Sequence, residues 1–450
     1  MKQSMTKAAF LLFSLIMCAG AGAQTVTRFI DPANMDFTVK PGDDFYTYAG
    51  GTWLKNNPVP AKETRLVRFN ILRDFNINAV RKVLETAAAD KNARAGSVAK
   101  RVADFYTAGM DSVAIENRGA GPVMPYLNSI AAIQNKEAII SKANELRTQS
   151  VGGGFFSFFI GQDRKNVEHM VPQTGQGGTT LPDRDYYLKN DAKSTGIQEA
   201  YKKYMTTLFT LVGNPAEKAA QIANSIYELE KKIAAAQKSR VEMRDAYKTY
   251  NKFLVADFSK TTPSFDWKKI MNELKVKGED SMLVNNPSFF ASLDSIFIAT
   301  SLEDLKAYLQ WNVLKGAAPH LSSAFVDANF NFNQVLSGQK VQTPRWQRIS
   351  QLTDGSIGEL LGQLYVKEYF KPEAKARMSE LISNVRKAFA NRINNLDWMG
   401  AETKQKALAK LAAFRPKIGY PDKWKDYEGM EIKADKYFEN VVNAGKWGYD

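Results

Sequence analysis

Histidine is nearly missing from this sequence: 450 residues hold two, His169 and His320, and a single cysteine, Cys18. A histidine metal cage, or a serine or cysteine nucleophile activated by imidazole, needs its imidazoles in specific company. Neither histidine has it. His169 stands in Asn166-Val167-Glu168-His169-Met170-Val171 and His320 follows Ala318-Pro319, each without a His or Glu at helical ligand spacing. Both therefore read as structural side chains held by hydrogen bonds.

Long apolar runs are also scarce. Lys2 and Lys7 precede an apolar stretch from Ala8 to Met17, and small residues from Ala19 to Ala23 follow, which is the order of a secretory signal cleaved after Ala23. Residues 1–23 are thus expected to be removed on export to a periplasmic or extracellular space. The alternative is a lipid anchor on Cys18, against which stands the bulky Met17 before it. The stretch is too short to cross a bilayer, and no later segment approaches about 18 uninterrupted apolar residues, so no transmembrane segment is expected. On the first reading the processed chain has no cysteine, which excludes disulfides, thiol catalysis and cysteine zinc sites.

What is present describes a large globular protein. Hydrophobic residues make up 44% and charged residues 24%, enough for a sizeable core, and the net charge is +14. The charges of the two signs are interspersed, as in Glu228-Leu229-Glu230-Lys231-Lys232, with no run of five or six alike. A solvated surface follows, and nucleic acid is not an expected partner.

The pattern is helix after helix. Asn214-Pro215-Ala216-Glu217 predicts an N-cap, a first-turn proline and a third-position glutamate, with Ile222, Ile226, Leu229 and Ile233 on one face. Similar stripes run through Val98, Val102, Phe105 and Tyr106, and through Met378, Leu381, Ile382, Val385 and Phe389. Leu302 to Leu314 and Glu402 to Phe414 read likewise. All are expected to be core faces. One hairpin is predicted, from Gly154–Ile160 across the turn-like Gln162 to Asn166 and back through Val167–Val171. Gly152-Gly153-Gly154 lacks the following lysine and helix of a phosphate loop, so no nucleotide site is supported.

Several stretches carry a more specific signal. Pro41-Gly42-Asp43-Asp44-Phe45-Tyr46 runs on to Trp53-Leu54-Lys55 and Pro58-Val59-Pro60. Leu181-Pro182-Asp183-Arg184-Asp185-Tyr186-Tyr187 follows, then Arg244-Asp245 with Tyr250-Asn251, then Asp397-Trp398-Met399 with Thr403 and Ala407. Lys417-Ile418-Gly419-Tyr420-Pro421-Asp422-Lys423-Trp424 comes last. In this order, and from about Ile30 onward, they resemble the neprilysin-like (M13) zinc metallopeptidases. Taken without the resemblance, these motifs read as scaffold: Gly42 and Gly51 in turns, aromatics buried with a polar tip, and Asp183, Arg184 and Asp185 pinning a loop against Tyr186 and Tyr187.

The resemblance implies a mainly α protein, a large multi-helix lobe with a small β hairpin like the N-terminal lobe of M13 peptidases. Residues 24–61 would form a segment packing on a catalytic lobe, 62–425 the helical lobe, and 426–450 the start of the connection to that lobe. Trp53, Phe438 and Trp447 would then be exposed. The implied activity is zinc-dependent cleavage of small peptides. The family's His-Glu-x-x-His motif does not occur here, so the resemblance implies no catalytic residue and no metal ligand in this chain. Zinc is expected for the complete family enzyme, and the missing catalytic lobe, in the same reading frame or an adjacent gene, is the expected partner besides peptide. The family's substrate-bordering segment matches Thr64 to Asp74, giving Arg65, Phe69, Asn70 and Arg73 as substrate-binding candidates, with Asn70 in place of an acidic residue. A guanidinium there suits a peptide carboxylate through two parallel N–H bonds; the alternative is surface ion pairing. At the level of function, the alternative is a stand-alone exported helical module that binds peptides or proteins without cleaving them.

Overall fold

A computed structural model describes residues 30–450, apart from the side chain of Arg68. The expected signal and Cys18 lie outside these residues. Two compact units are formed, one ending at Leu66 and the other running from Val67 to Asp450.

The first unit is built on helix α1 (Phe45–Asn56). Asp44 begins it, its carboxylate accepting the Thr47 N–H at 3.0 Å and the Thr47 hydroxyl at 2.6 Å. The preceding strand of chain folds back on the helix, with the Asp36 N–H donating to the Tyr48 carbonyl at 2.9 Å. Gly51 is a close-approach residue inside the helix, not a turn: a Cβ there would sit 2.8 Å from that of Asp36. Trp53, expected exposed, is half-buried.

The second unit begins with α2 (Arg68–Ala89), α3 (Val98–Met110), α4 (Ser112–Arg118), α5 (Met124–Ala131) and α6 (Lys136–Thr148). Strands β1 (Phe156–Asp163) and β2 (Asn166–Gln176) make the predicted hairpin around a two-residue Arg164-Lys165 turn. Next come α7 (Asp185–Leu188), α8 (Ala192–Leu211) and α9 (Ala216–Ala236), then β3 (Lys252–Leu254), α10 (Val255–Thr261), α11 (Trp267–Glu273) and β4 (Ser281–Val284). The chain continues with α12 (Pro287–Ala299), α13 (Leu302–Ala317), α14 (Ser323–Ser337) and α15 (Arg345–Tyr369). The last helices are α16 (Pro372–Asn394), α17 (Ala401–Ala413) and α18 (Tyr437–Tyr449). The fold is mainly α, as expected. The hairpin belongs to a four-stranded sheet, order β1-β2-β4-β3, in which β4 runs parallel to β2. β3 and β4 are three and four residues long and carry too little alternation to stand out in sequence.

Two apolar cores form. The larger gathers α5, α6, α8, α9 and α11 to α14 around Trp267, Trp311 and Phe290. The smaller joins α2, α3 and α15 with residues 427–447. The Ile226, Leu229 and Ile233 stripe and the Val102, Phe105 and Tyr106 stripe are buried as predicted.

Three expectations are corrected. Asn214 does not cap α9; Pro215 takes that place, and the Asn214 amide turns back to close α8 on the Phe209 carbonyl at 3.0 Å. Phe438 is buried, and Trp447 is half-buried, stacked on Tyr427 with ring centres 4.3 Å apart, because α18 folds back into both cores. The Met378, Leu381, Val385 and Phe389 stripe is exposed along α16, not core.

Candidate substrate-contacting site

Three of the four candidates sit at the start of α2. Val67 is extended (φ −135°, ψ 163°), and the Asn70 side chain bends back so that its oxygen accepts the Val67 N–H at 3.0 Å, fixing the first turn. Asn70 is accordingly buried. Its carboxamide does the work of the outer half of a capping box, a task the acidic residue of the family pattern could also perform. Phe69 is 78% exposed, and Ile71, Leu72 and Phe75 follow it in the open. Arg73 is exposed and pairs with Asp74 at 3.4 Å. Arg65 belongs to the first unit, exposed on irregular backbone.

Phe69, Leu72, Arg73, Asn76, Ile77 and Val80 form one wall of a groove of about 470 Å³ whose other wall is Ser350, Gln351 and Asp354 of α15. Below it the Arg81 guanidinium lies 4.4 Å over the Trp346 ring, and the Tyr365 hydroxyl donates to Asn76 at 3.1 Å. Burial raises the Asp354 carboxyl above the ordinary range. An apolar side chain fits between the walls, with a guanidinium and a carboxyl at the rim to take polar backbone groups. Asp354 carried no motif. Its only sequence sign is the Asp354-Gly355-Ser356-Ile357-Gly358 run, where two glycines interrupt a helical pattern; the helix indeed breaks there, with Ile357 at φ −131°, ψ 38°.

The Leu181 to Tyr187 motif is scaffold. Asp183 pairs with Arg240 at 2.8 Å and Asp185 with Lys189 at 2.9 Å. Arg184 donates to the Gln237 carbonyl. Tyr187 turns inward to the fully buried Glu230, whose carboxylate accepts the hydroxyls of Tyr187 (2.7 Å), Tyr201 (2.8 Å) and Thr180 (2.8 Å). Thr180 in turn accepts from Trp311 Nε1 at 3.1 Å and Lys315 Nζ at 3.0 Å. Burial, with the nearby carboxylate second, raises both tyrosine hydroxyls well above their usual range, so they stay protonated donors. Glu230 was invisible in sequence because it lies within a run of mixed charge that reads as solvent-facing.

No group of three or more His, Cys, Asp or Glu side chains that could hold a metal occurs among the described residues. His169 is exposed on β2, and His320 is enclosed, its Nδ1 3.3 Å from the Tyr437 hydroxyl. No described helix is long and apolar enough to cross a membrane.

The model of peptidase family M13, in its N-terminal part, matches residues 41–421. The chain belongs to peptidase family M13. It is 30% identical to mouse endothelin-converting enzyme 1, over 91% of this chain and 55% of that protein, and 28% identical to human neprilysin, over 92% and 60%. Among solved structures, the Mycobacterium tuberculosis zinc metalloprotease ZMP1 in complex with inhibitor superposes with a TM-score of 0.84 at 29% identity, covering 94% of this chain and 64% of that one. PepO from Lactobacillus rhamnosis, at 17% identity and a TM-score of 0.78, shares the fold. This M13 chain thus spans about 55–60% of the length of the curated relatives it matches.

Proposed function

We propose that this M13 chain is the N-terminal, access-limiting lobe of an exported zinc metalloendopeptidase acting on small peptides, and that cleavage requires a catalytic lobe carrying the zinc site. The family match over residues 41–421 carries the reading. In support, the start of α2 offers Phe69 and Arg73 beside a groove of about 470 Å³. Arg65, Phe69 and Arg73 are the peptide-bordering candidates in this reading, and Asn70 holds the first turn of α2, which carries Phe69 and Arg73. Export to the periplasm or outside the cell, in this reading, rests on the expected signal in residues 1–23.

The test uses the protein assembled with its catalytic lobe and pairs of short peptides differing only in a free or amidated C-terminus. Arg65→Ala should weaken cleavage of the free-carboxylate peptides by the equivalent of about 1.5–3 kcal/mol, the range of a shielded charge-assisted hydrogen bond, and of the amidated ones less. Equal losses on both would return Arg65 to surface ion pairing. Zinc bound stoichiometrically by residues 30–450 alone, with chelator-sensitive hydrolysis, would overturn the division of labour.

A further inference from the structure

The groove between α2 and α15 holds a carboxyl that the fold does not use. Other acids of the same two helices are engaged: Asp74 pairs with Arg73 at 3.4 Å, Glu85 with Arg81 at 2.6 Å, and the Glu359 carboxylate accepts the Lys425 N–H at 2.7 Å. The Asp354 carboxylate has no hydrogen-bond or ion-pair partner among the described residues. It is open to the groove yet partly desolvated by its surroundings, which raises its pKa and makes its lone charge costly. The backbone beside it is bare as well. Gly358, one turn on, puts nothing over the carboxyl, where a Cβ would stand 3.5 Å from Oδ1, and a Cβ on Gly355 would meet nothing within 4 Å. Neither glycine has a positive φ that would demand it, so what the two share is an open approach to Asp354.

We propose that this groove takes a lysine or arginine side chain of the peptide substrate, its aliphatic stem along the α2 wall and its cationic head on the Asp354 carboxylate, an inference that rests on the function proposed above. Two features select a cation. The α2 wall is apolar through Phe69, Leu72, Ile77 and Val80, and a long basic side chain lies along such a surface while its head reaches a polar group. A full positive charge also relieves an unpaired, partly desolvated carboxylate more than the N–H of a neutral amide does. Arg73, the other charged side chain lining the groove, is drawn to Asp74, which leaves Asp354 to a ligand. Asp354 is thereby a specificity-determining residue, selecting for charge at one position of the peptide.

The test uses the protein assembled with its catalytic lobe and short peptides, acetylated and amidated at their ends, in which lysine, norleucine or glutamate replaces each residue in turn. Norleucine keeps the stem and lacks the charge. kcat/KM is measured on each peptide, and affinity is measured by fluorescence anisotropy after a chelator has removed the metal. At one position lysine should exceed norleucine by about tenfold in both readouts, as one charge-assisted hydrogen bond on a partly open carboxyl supplies. Asp354→Asn should bring that ratio to about one, and Asp354→Lys should make glutamate the best of the three at the same position. Each ratio is taken within one variant, so a partial loss of folding does not change it. A lysine-to-norleucine ratio near one in the parent, or one that survives both substitutions, overturns the proposal. So does an equal loss on all peptides, which makes Asp354 an acceptor for peptide backbone. Hydrolysis without the ratio removes this inference and leaves the proposed function standing, whereas an Asp354-dependent ratio in affinity without hydrolysis keeps the groove and removes the function.

Discussion

His320 shows how one buried side chain couples this fold to pH. Burial, with the Arg348 guanidinium adding repulsion, lowers its pKa to about 4 from the usual 6.5. The folded state then binds fewer protons than the unfolded chain between those values. The neutral ring's contribution is fully present above pH 6.5 and is lost as pH falls toward 4. The shift corresponds to about 3 kcal/mol. Urea midpoints measured from pH 7 to pH 4 should fall less steeply for His320→Gln than for the parent, and parallel curves would refute the coupling. Glu230 is the other decisive residue. Glu230→Ala leaves three hydroxyls without their acceptor in a dry interior and should cost about 3–5 kcal/mol, with Glu230→Gln costing less because an amide still accepts. Chemical denaturation of the two variants separates these outcomes.

Among elements, α15 and the chain from Lys425 to Met430 depend on each other. At the break in α15 the Glu359 N–H donates to the Tyr427 hydroxyl at 3.3 Å, and the Glu359 carboxylate accepts the Lys425 N–H at 2.7 Å. Arg101, from α3, grips the other side, donating to the carbonyls of Asp426 (2.7 Å), Tyr427 (2.9 Å) and Met430 (3.3 Å). Tyr427 holds a left-handed φ of +54°, a conformation that persists because these bonds surround it. Arg101→Ala should therefore destabilise the protein by about 1.5–3 kcal/mol and speed amide exchange across 425–430 before the rest of the unit. Uniform exchange changes would show that Arg101 only fills space.

At the scale of the second unit, α18 joins the two cores. Phe438 enters the larger, and Tyr437 and Ala444 enter the smaller. Phe438→Ala should cost about 3–5 kcal/mol, because neighbours on several helices cannot collapse together into the space left. A loss under 1 kcal/mol in thermal or denaturant unfolding would mean that α18 is laid on the surface.

Much of this was legible in the sequence, and the boundary is a physical one. Periodicity at 3.6 residues marked α3, α9, α13, α16 and α17, and alternation with a turn marked β1 and β2, because these patterns are local. The family was legible from the order of short motifs, and the match over residues 41–421 agrees. The candidates Phe69, Asn70 and Arg73 were named from the same source, but the groove beside them was not, since its second wall comes from α15, some 280 residues away, and its carboxyl sits in no motif. Periodicity says that a stripe wants cover; it does not say whether the chain supplies it. The stripes at Ile226 and at Met378 look alike in sequence, yet one is core and the other bare. Likewise the C-terminal residues 427–450, expected to await a partner, found their cover in α3 and α15. Sequence determined the elements and the family of this protein, while which apolar faces meet, and so which remain to receive another surface, was decided only by long-range packing.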